Sequence, residues 1–125
     1  GERRTLPTAA RLADGWNVPY ITVDEFTRLN AILDERCTIE GRDPASLDRS
    51  VNLHMRMGAT AAQAAQIEQE RGATDGAVVG TAQQAIDAIK AYEEAGASRV
   101  SIAVRPPIMW DALQSFVEEV MPAVQ

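Results

Sequence analysis

The chain is poor in the residues that build disulfides, metal sites and membrane spans. It has one cysteine, Cys37, and one histidine, His54. A single cysteine cannot close an intrachain disulfide, and the pair does not supply the clustered ligands of a zinc site. No apolar run approaches the roughly 20 residues of a membrane-spanning helix, and the charged N-terminus lacks the apolar core of a signal peptide. We therefore expect no metal and no membrane partner, and take the cytoplasm as the default location.

Basic residues are also in deficit. Twelve Lys and Arg stand against eighteen Asp and Glu, a formal net charge of −6. A nucleic-acid surface needs a basic stripe to neutralise phosphates, so we expect no nucleic-acid partner. The 125 residues and 46% hydrophobic content suffice for one globular domain with its own core. We therefore expect residues 1–125 to form one domain.

Helix boundaries are well marked in the sequence. Three segments begin with a threonine followed three residues later by Glu or Gln, the capping-box pattern, and each segment ends at a glycine. These pairs and glycines are Thr22/Glu25 with Gly41, Thr60/Gln63 with Gly72, and Thr81/Gln84 with Gly96. We predict a first helix over residues 5–13 and a last helix after Pro106 and Pro107.

Strands are fewer than helices. Residues 50–56 and 99–105 alternate apolar and polar side chains, and residues 15–20 form a weaker third strand. Residues 77–79 are too short to predict as a strand, and the stretch 72–80 is expected to be a mobile loop. Strands that alternate with helices imply parallel pairing with right-handed crossovers, so the fold class is α/β.

The alternation leaves one polar face on the predicted sheet. Strands covered by helices on both sides are usually apolar throughout, whereas these strands carry Asn17, His54, Arg56 and Arg105 on one side. In a barrel such residues would point into the lumen, towards the carboxyl ends of the strands where barrel active sites lie. An open sheet with one solvated face explains the same pattern, and the alternation does not decide between the two.

Several ordered segments resemble the luciferase-like monooxygenase family, and in particular its deazaflavin-dependent branch. The first match comprises the run from Gly1 to Leu6, Ala10-Arg11, and the stretch from Ala13 to Asn17. Val79 to Gln84 and Tyr92 to Ala97 are similar to a Gly-Thr helix start and to the approach to the family's final strand. The stretch from Leu113 to Pro122 resembles its terminal helix. The matches span almost the whole chain in the family's order.

The resemblance implies a (β/α)₈ barrel, a fold that typically needs about 250 residues. This chain would supply its C-terminal portion, namely the last three strand–helix units and the preceding helix of a partial TIM barrel. The resemblance further implies FMN or a deazaflavin as cofactor, with its phosphate held at Gly1, Glu2, Arg3 and Arg4. Such a site would use backbone N–H groups at a helix start together with arginine. Whether this chain alone binds either cofactor stays open.

Three functions are compatible with these observations. The first is a C-terminal fragment of a flavin- or deazaflavin-dependent oxidoreductase or monooxygenase, expected to be inactive alone because half of the barrel is missing. The second is a non-catalytic half-barrel assembly module, a homo-oligomer or a partner of the missing N-terminal half, that hides its sheet edges by association. The third, ranked below both, is an unrelated small α/β binding protein.

Overall fold

The computed structural model describes residues 1–72 and 74–125. Within these residues four strands alternate with five α-helices. A 3₁₀ turn, Pro44–Ser46, precedes the second strand. The last helix continues through a π-helical turn, Phe116–Val120, and a 3₁₀ turn, Met121–Ala123. None of the helices in the described ranges combines the length and apolar content needed to cross a bilayer. In chain order the elements are α1 (Thr5–Leu12), β1 (Gly15–Pro19), α2 (Val23–Ile39), β2 (Asp48–Met57), α3 (Ala61–Arg71), β3 (Ala77–Gly80), α4 (Ala82–Glu94), β4 (Arg99–Ala103) and α5 (Trp110–Ser115).

Local capping explains where the helices begin. The Thr22 hydroxyl accepts a hydrogen bond from the Glu25 N–H at 3.2 Å, and the Thr60 hydroxyl accepts one from the Gln63 N–H at the same distance. At α4, Thr81 forms the full reciprocal capping box, in which the side chain of Gln84 accepts from the Thr81 N–H at 2.9 Å. These contacts satisfy backbone donors that the first helical turn leaves unpaired. The predicted helix starts are confirmed.

The long strand β2 lies at the centre of a parallel sheet. It pairs with β1 through residues 48–52 and with β3 through residues 54–57, while β4 pairs with residues 50–54. Asn52 faces both Pro19 and Ser101, and His54 faces both Ala77 and Ala103, so β1 and β3 follow one another along one edge of β2 and β4 occupies the other edge. The sheet is therefore at most three strands wide.

The hydrophobic core lies between one face of this sheet and the helices. Val51 and Leu53 of β2 are fully buried there, together with Phe26 of α2 and Ile89 of α4. The opposite face carries polar side chains that are partly or fully exposed: Asn17, Ser50, Asn52 and Ser101. The predicted α/β class with parallel strands is confirmed. In this chain the polar face is open, so barrel closure stays a proposal.

Two strand predictions need correction. Residues 77–80, expected to lie in a mobile loop, form β3, because the backbone of His54 to Met57 supplies hydrogen bonds that a four-residue segment cannot reveal by itself; residue 73 of that stretch lies outside the described residues. The last strand ends at Ala103 rather than Arg105, because its register with β2 stops at His54. Arg105 is thus in the segment that follows β4.

Candidate functional site

An aromatic stack lies where β1 ends, beside the carboxyl half of β2. The ring of Tyr20, directly after β1, is parallel to the ring of His54, with 3.8 Å between centroids and 4° between planes. Tyr20 has a φ of 56°, a left-handed conformation that costs a bulky residue energy. Its N–H nevertheless donates to the Asn52 carbonyl at 2.8 Å, which continues the β1–β2 pairing past the strand end. The strained backbone turns the phenol ring over the polar face.

Gly76 packs closely against the left-handed backbone of Tyr20. A Cβ atom built on Gly76 would lie 2.3 Å from the carbonyl carbon of Tyr20, a distance that side chains do not tolerate. The Gly76 carbonyl also accepts a hydrogen bond from the His54 N–H at 2.8 Å. One glycine therefore contacts the backbones of both stacked residues, and only glycine allows this approach.

Arg105, two residues after the end of β4, also contacts the stack. Its Nη2 is 3.5 Å from the Tyr20 hydroxyl, to which it donates, and its guanidinium carbon lies 5.9 Å from the centre of the Tyr20 ring. The ends of β1 and β4 thus converge with His54, in the carboxyl half of β2, on one cluster of Tyr20, His54 and Arg105. We refer to these three side chains as the strand-end cluster.

The environment of His54 favours its neutral form. Burial lowers the pKa of the imidazole below its usual value, and the positive charges of Arg105 and Arg56 lower it further. A neutral imidazole has one donor and one acceptor nitrogen, so His54 can hydrogen-bond to a ligand in either role.

Arg56 is placed at the same end of β2 but makes a different contact. Its Nη1 donates to the carbonyl of Arg71, the last residue of α3, at 3.0 Å, and Arg71 in turn donates to the carbonyl of Pro107 at 3.2 Å. Arg56 also lines a pocket of about 410 Å³ between α3, β3 and the start of α4. The two predicted arginines therefore share one end of the sheet, but only Arg105 contacts the stack.

Asn17 lies on the polar face of the sheet, two residues before the end of β1. Trp16 packs into the core against Phe26, with ring centroids 6.1 Å apart, and this turns Asn17 to the opposite face as predicted. The Asn17 amide donates to the Ser50 hydroxyl at 2.8 Å and to the Asn52 side-chain oxygen at 3.1 Å. These bonds crosslink β1 and β2 across the open face.

The N-terminal segment forms a turn that leads into α1. The Gly1 carbonyl accepts from the N–H groups of Arg4 and Thr5, at 3.4 and 2.9 Å, so these two amides are engaged within the turn. Glu2 forms an ion pair with Arg28, which also binds Glu25, and the contact holds the pKa of both carboxyls below the usual range.

Gly1 and Glu2 share a pocket of about 400 Å³ with Asn17. In the part of the chain that the structure describes, Arg3 and Arg4 do not line this pocket, and both are exposed. Arg4 lines a neighbouring, more open pocket that Asn17 also lines, so each of the two pockets beside Asn17 has one charged residue of the predicted segment. A phosphate-binding role for residues 1–4 stays a prediction.

Sequence reasoning missed Tyr20, Arg71 and Gly76. A tyrosine directly after a strand gives no local signal of a positive φ, and the contacts of Gly76 depend on two other segments. Across residues 1–72 and 74–125, no three His, Cys, Asp or Glu side chains come close enough together to bind a metal ion.

The chain is similar in structure to several solved enzymes. It matches a coenzyme F420-dependent tetrahydromethanopterin reductase from Methanopyrus kandleri with a TM-score of 0.77 and 15% identity, over 100% of this chain and 49% of that one. It matches the long-chain alkane monooxygenase LadA with a TM-score of 0.76 and 15% identity, over 98% and 39%. A third match, at 0.71 and 14%, over 98% and 46%, is the oxygenating constituent of 3,6-diketocamphane monooxygenase from Pseudomonas putida, in complex with FMN.

No protein-family model matches the sequence, and a search of curated proteins found no similar sequence. The chain spans less than half the length of the three structures, so their activities belong to longer polypeptides. All three are luciferase-like monooxygenase family members. The resemblance seen in the sequence is confirmed at the level of fold: across nearly its whole length, this chain has the parallel α/β architecture of part of a luciferase-like enzyme.

Proposed function

We propose that the chain is the C-terminal sector of a luciferase-like flavin- or deazaflavin-dependent oxidoreductase and supplies one wall of its active-site mouth. The observation that carries the proposal is the strand-end cluster. Tyr20 follows β1, Arg105 follows β4, and His54 lies in the carboxyl half of β2 between them. The three side chains meet towards the carboxyl end of a parallel sheet, where α/β enzymes place their active sites. The structural matches to an F420-dependent reductase and to an FMN-bound monooxygenase support the reaction class.

The chain does not form a complete cofactor pocket by itself. At the N-terminal turn, the amides of Arg4 and Thr5 bond to the Gly1 carbonyl, and the carboxylate of Glu2 would repel a phosphate. The polar face of the sheet is open, and none of the elements in ranges 1–72 and 74–125 forms a second wall over a planar ring system there. We therefore propose that flavin or deazaflavin binds only when the rest of a barrel is present, and that the chain alone is inactive.

The DNA upstream of Gly1 provides the first test. The proposal expects an in-frame coding sequence there whose last strand ends in glycines. The longer polypeptide is expected to bind FMN or coenzyme F420 at close to one equivalent, measured by fluorescence titration, whereas the 125-residue chain does not. The proposal fails if the longer polypeptide binds neither cofactor. Stoichiometric binding with turnover by the 125-residue chain would contradict the statement that it is inactive alone.

The second candidate function is an assembly module. It is favoured by the outer edge of β4, which has β2 as its only partner among the described residues. A largely apolar pocket of about 430 Å³ adjoins this strand, and the exposed side chains of Val104, Val117 and Met121 line it. Uncovered strand edges beside apolar surface are typical association sites. Two copies would give a sheet only six strands wide, so a closed eight-stranded dimer does not follow.

Sedimentation analysis distinguishes this function from the first. The assembly hypothesis expects the wild-type chain to dimerise as its concentration rises and Val117→Glu to abolish dimerisation, because the new charge would be buried at the contact. Leu12→Glu is the matched control, since Leu12 is an exposed hydrophobic residue on α1 and does not line the pocket. A compact monomer at high concentration would rule out self-association.

A further inference from the structure

We propose that Arg105, with His54 and Tyr20 beside it and Arg56 nearby, binds a compact oxyanion, the carboxylate or phosphate group of a small-molecule substrate. The assignment of this anion to a substrate rests on the proposed function. The binding of the anion itself rests only on the charges and contacts of this chain.

The first observation is a group of three arginines at one end of the sheet, in a chain whose net charge is −6. Arg56, Arg71 and Arg105 lie at the carboxyl end of the sheet, and each donates to a neutral oxygen: the Arg71 carbonyl, the Pro107 carbonyl and the Tyr20 hydroxyl. Within the described ranges none of the three forms a salt bridge. A guanidinium carries five N–H donors, so all three retain donors for an anion.

Two arginines elsewhere in the described residues bind carboxylates. Arg28 binds the carboxylates of Glu2 and Glu25, and Arg49 binds that of Asp34. The charged groups that act on His54 are both arginines. The positive charge at this end is therefore not neutralised from within the cluster, and an arriving anion would be attracted to it.

The second observation is that contacts within the chain already restrict Tyr20 and the segment after Arg105. The left-handed backbone of Tyr20 lies against Gly76, and its hydroxyl accepts from Arg105. The bond from Arg71 to the Pro107 carbonyl ties the segment after Arg105 to the end of α3. A preorganised guanidinium binds a carboxylate or phosphate through two parallel hydrogen bonds and loses little entropy in doing so.

The single histidine of the chain makes the proposal testable, because its ring signals in NMR spectra report only on this cluster. The 125-residue chain is titrated with inorganic phosphate and, separately, with acetate, at constant ionic strength set with sodium chloride. The pH is held at about 8, where an imidazole with a pKa at or below its usual value is neutral. The proposal expects a saturable shift of the His54 ring signals with at least one of the two anions. Saturation with acetate alone identifies a carboxylate ligand, and saturation with phosphate alone a phosphate.

Two variants and one control separate specific binding from general charge effects. Arg105→Gln is expected to weaken the apparent affinity by about tenfold, the effect of losing a charge-assisted contact. Arg105→Lys keeps the charge but cannot form two parallel hydrogen bonds, so an intermediate affinity is expected. Arg99→Gln removes an exposed arginine at the other end of β4 and is expected to leave the titration unchanged. Circular dichroism confirms that each variant is folded.

The proposal is overturned if neither anion gives a saturable shift, or if Arg105→Gln and Arg99→Gln behave alike. Failure of the proposed function has a different signature. In that case the longer polypeptide binds no flavin or deazaflavin, whereas the titration of His54 in the 125-residue chain still saturates and still depends on Arg105.

Discussion

The ring of Tyr20 lies flat on the ring of His54, 3.8 Å away between centroids, although Tyr20 follows β1, His54 lies within β2, and the two are 34 positions apart in the chain. The contact arises because Asn52 pairs with Pro19 and then accepts a hydrogen bond from the Tyr20 N–H. Gly76 leaves room for the turn of the Tyr20 backbone. The stack therefore depends on the register between β1 and β2, and the Tyr20 ring covers one face of the His54 imidazole.

Removing the Tyr20 ring is expected to raise the pKa of His54 towards its usual value. Burial is the largest cause of the lowered pKa, and Tyr20→Ala exposes the imidazole to water. Tyr20→Phe keeps the aromatic ring and is expected to leave the pKa low. Titration of the His54 ring signals by NMR measures all three proteins. Equal changes in the His54 pKa in Tyr20→Ala and Tyr20→Phe would show that the aromatic stack does not cause the burial of the imidazole.

The stability of the fold is expected to fall as the pH drops below about 6.5, the ordinary pKa of histidine. Native His54 has the lower pKa, so between the two pKa values the unfolded chain binds more protons and acid favours unfolding. Below about 4.5 the Glu2 and Glu25 carboxyls, whose native pKa values are also lowered, add a second loss. Urea unfolding at a series of pH values measures the profile. His54→Gln is expected to remove the first fall and keep the second; a profile unchanged by this substitution would contradict the assignment.

Gly76→Ala is expected to destabilise the protein more than Gly41→Ala. Both glycines have positive φ, 63° and 69°, so both substitutions incur left-handed strain of about 1 kcal/mol. A Cβ on Gly41 meets nothing within 4 Å, whereas a Cβ on Gly76 lies 2.3 Å from the Tyr20 backbone. The clash is expected to bring the cost of Gly76→Ala to roughly 3 kcal/mol, at the upper end of single substitutions. Comparing the free energies of unfolding in urea tests the difference, and equal losses would mean that the Tyr20 turn relaxes at little cost.

Arg49→Met is expected to lower the free energy of unfolding by about 2 kcal/mol, the range for breaking a buried hydrogen-bond network. Arg49 is 8% exposed and donates to the Asn30 and Pro44 carbonyls as well as to Asp34. Asp34 is about half exposed, so water can replace its bond to Arg49. The loss of stability therefore comes mainly from the two carbonyls that lose their donor. Arg28→Met is the control, because Arg28 pairs with its two glutamates on the surface, where ion pairs contribute little. A larger loss for Arg28→Met would reverse this assignment.

The structure brings two of the predicted residues together at one end of the sheet, and their role in a site stays a prediction. Arg105 and His54 were predicted from strand alternation, and they do meet at one end of the sheet. Arg56 was predicted on the same grounds, but its contact with the Arg71 carbonyl depends on where α3 ends. Tyr20 was not predicted, because the alternation of a strand carries no information about the residue that turns away from it.

The sequence by itself determined the features that depend on neighbours within a few residues. Thr22, Thr60 and Thr81 start helices because each hydroxyl reaches an amide three residues ahead. Trp16 and Asn17 point to opposite faces because successive strand residues always do. Only the tertiary structure decided that residues 77–80 form a strand, that β1 and β3 share one edge of β2, and that Tyr20 covers His54. Each of these depends on hydrogen bonds or close contacts with a segment more than 20 residues away, which no local pattern encodes.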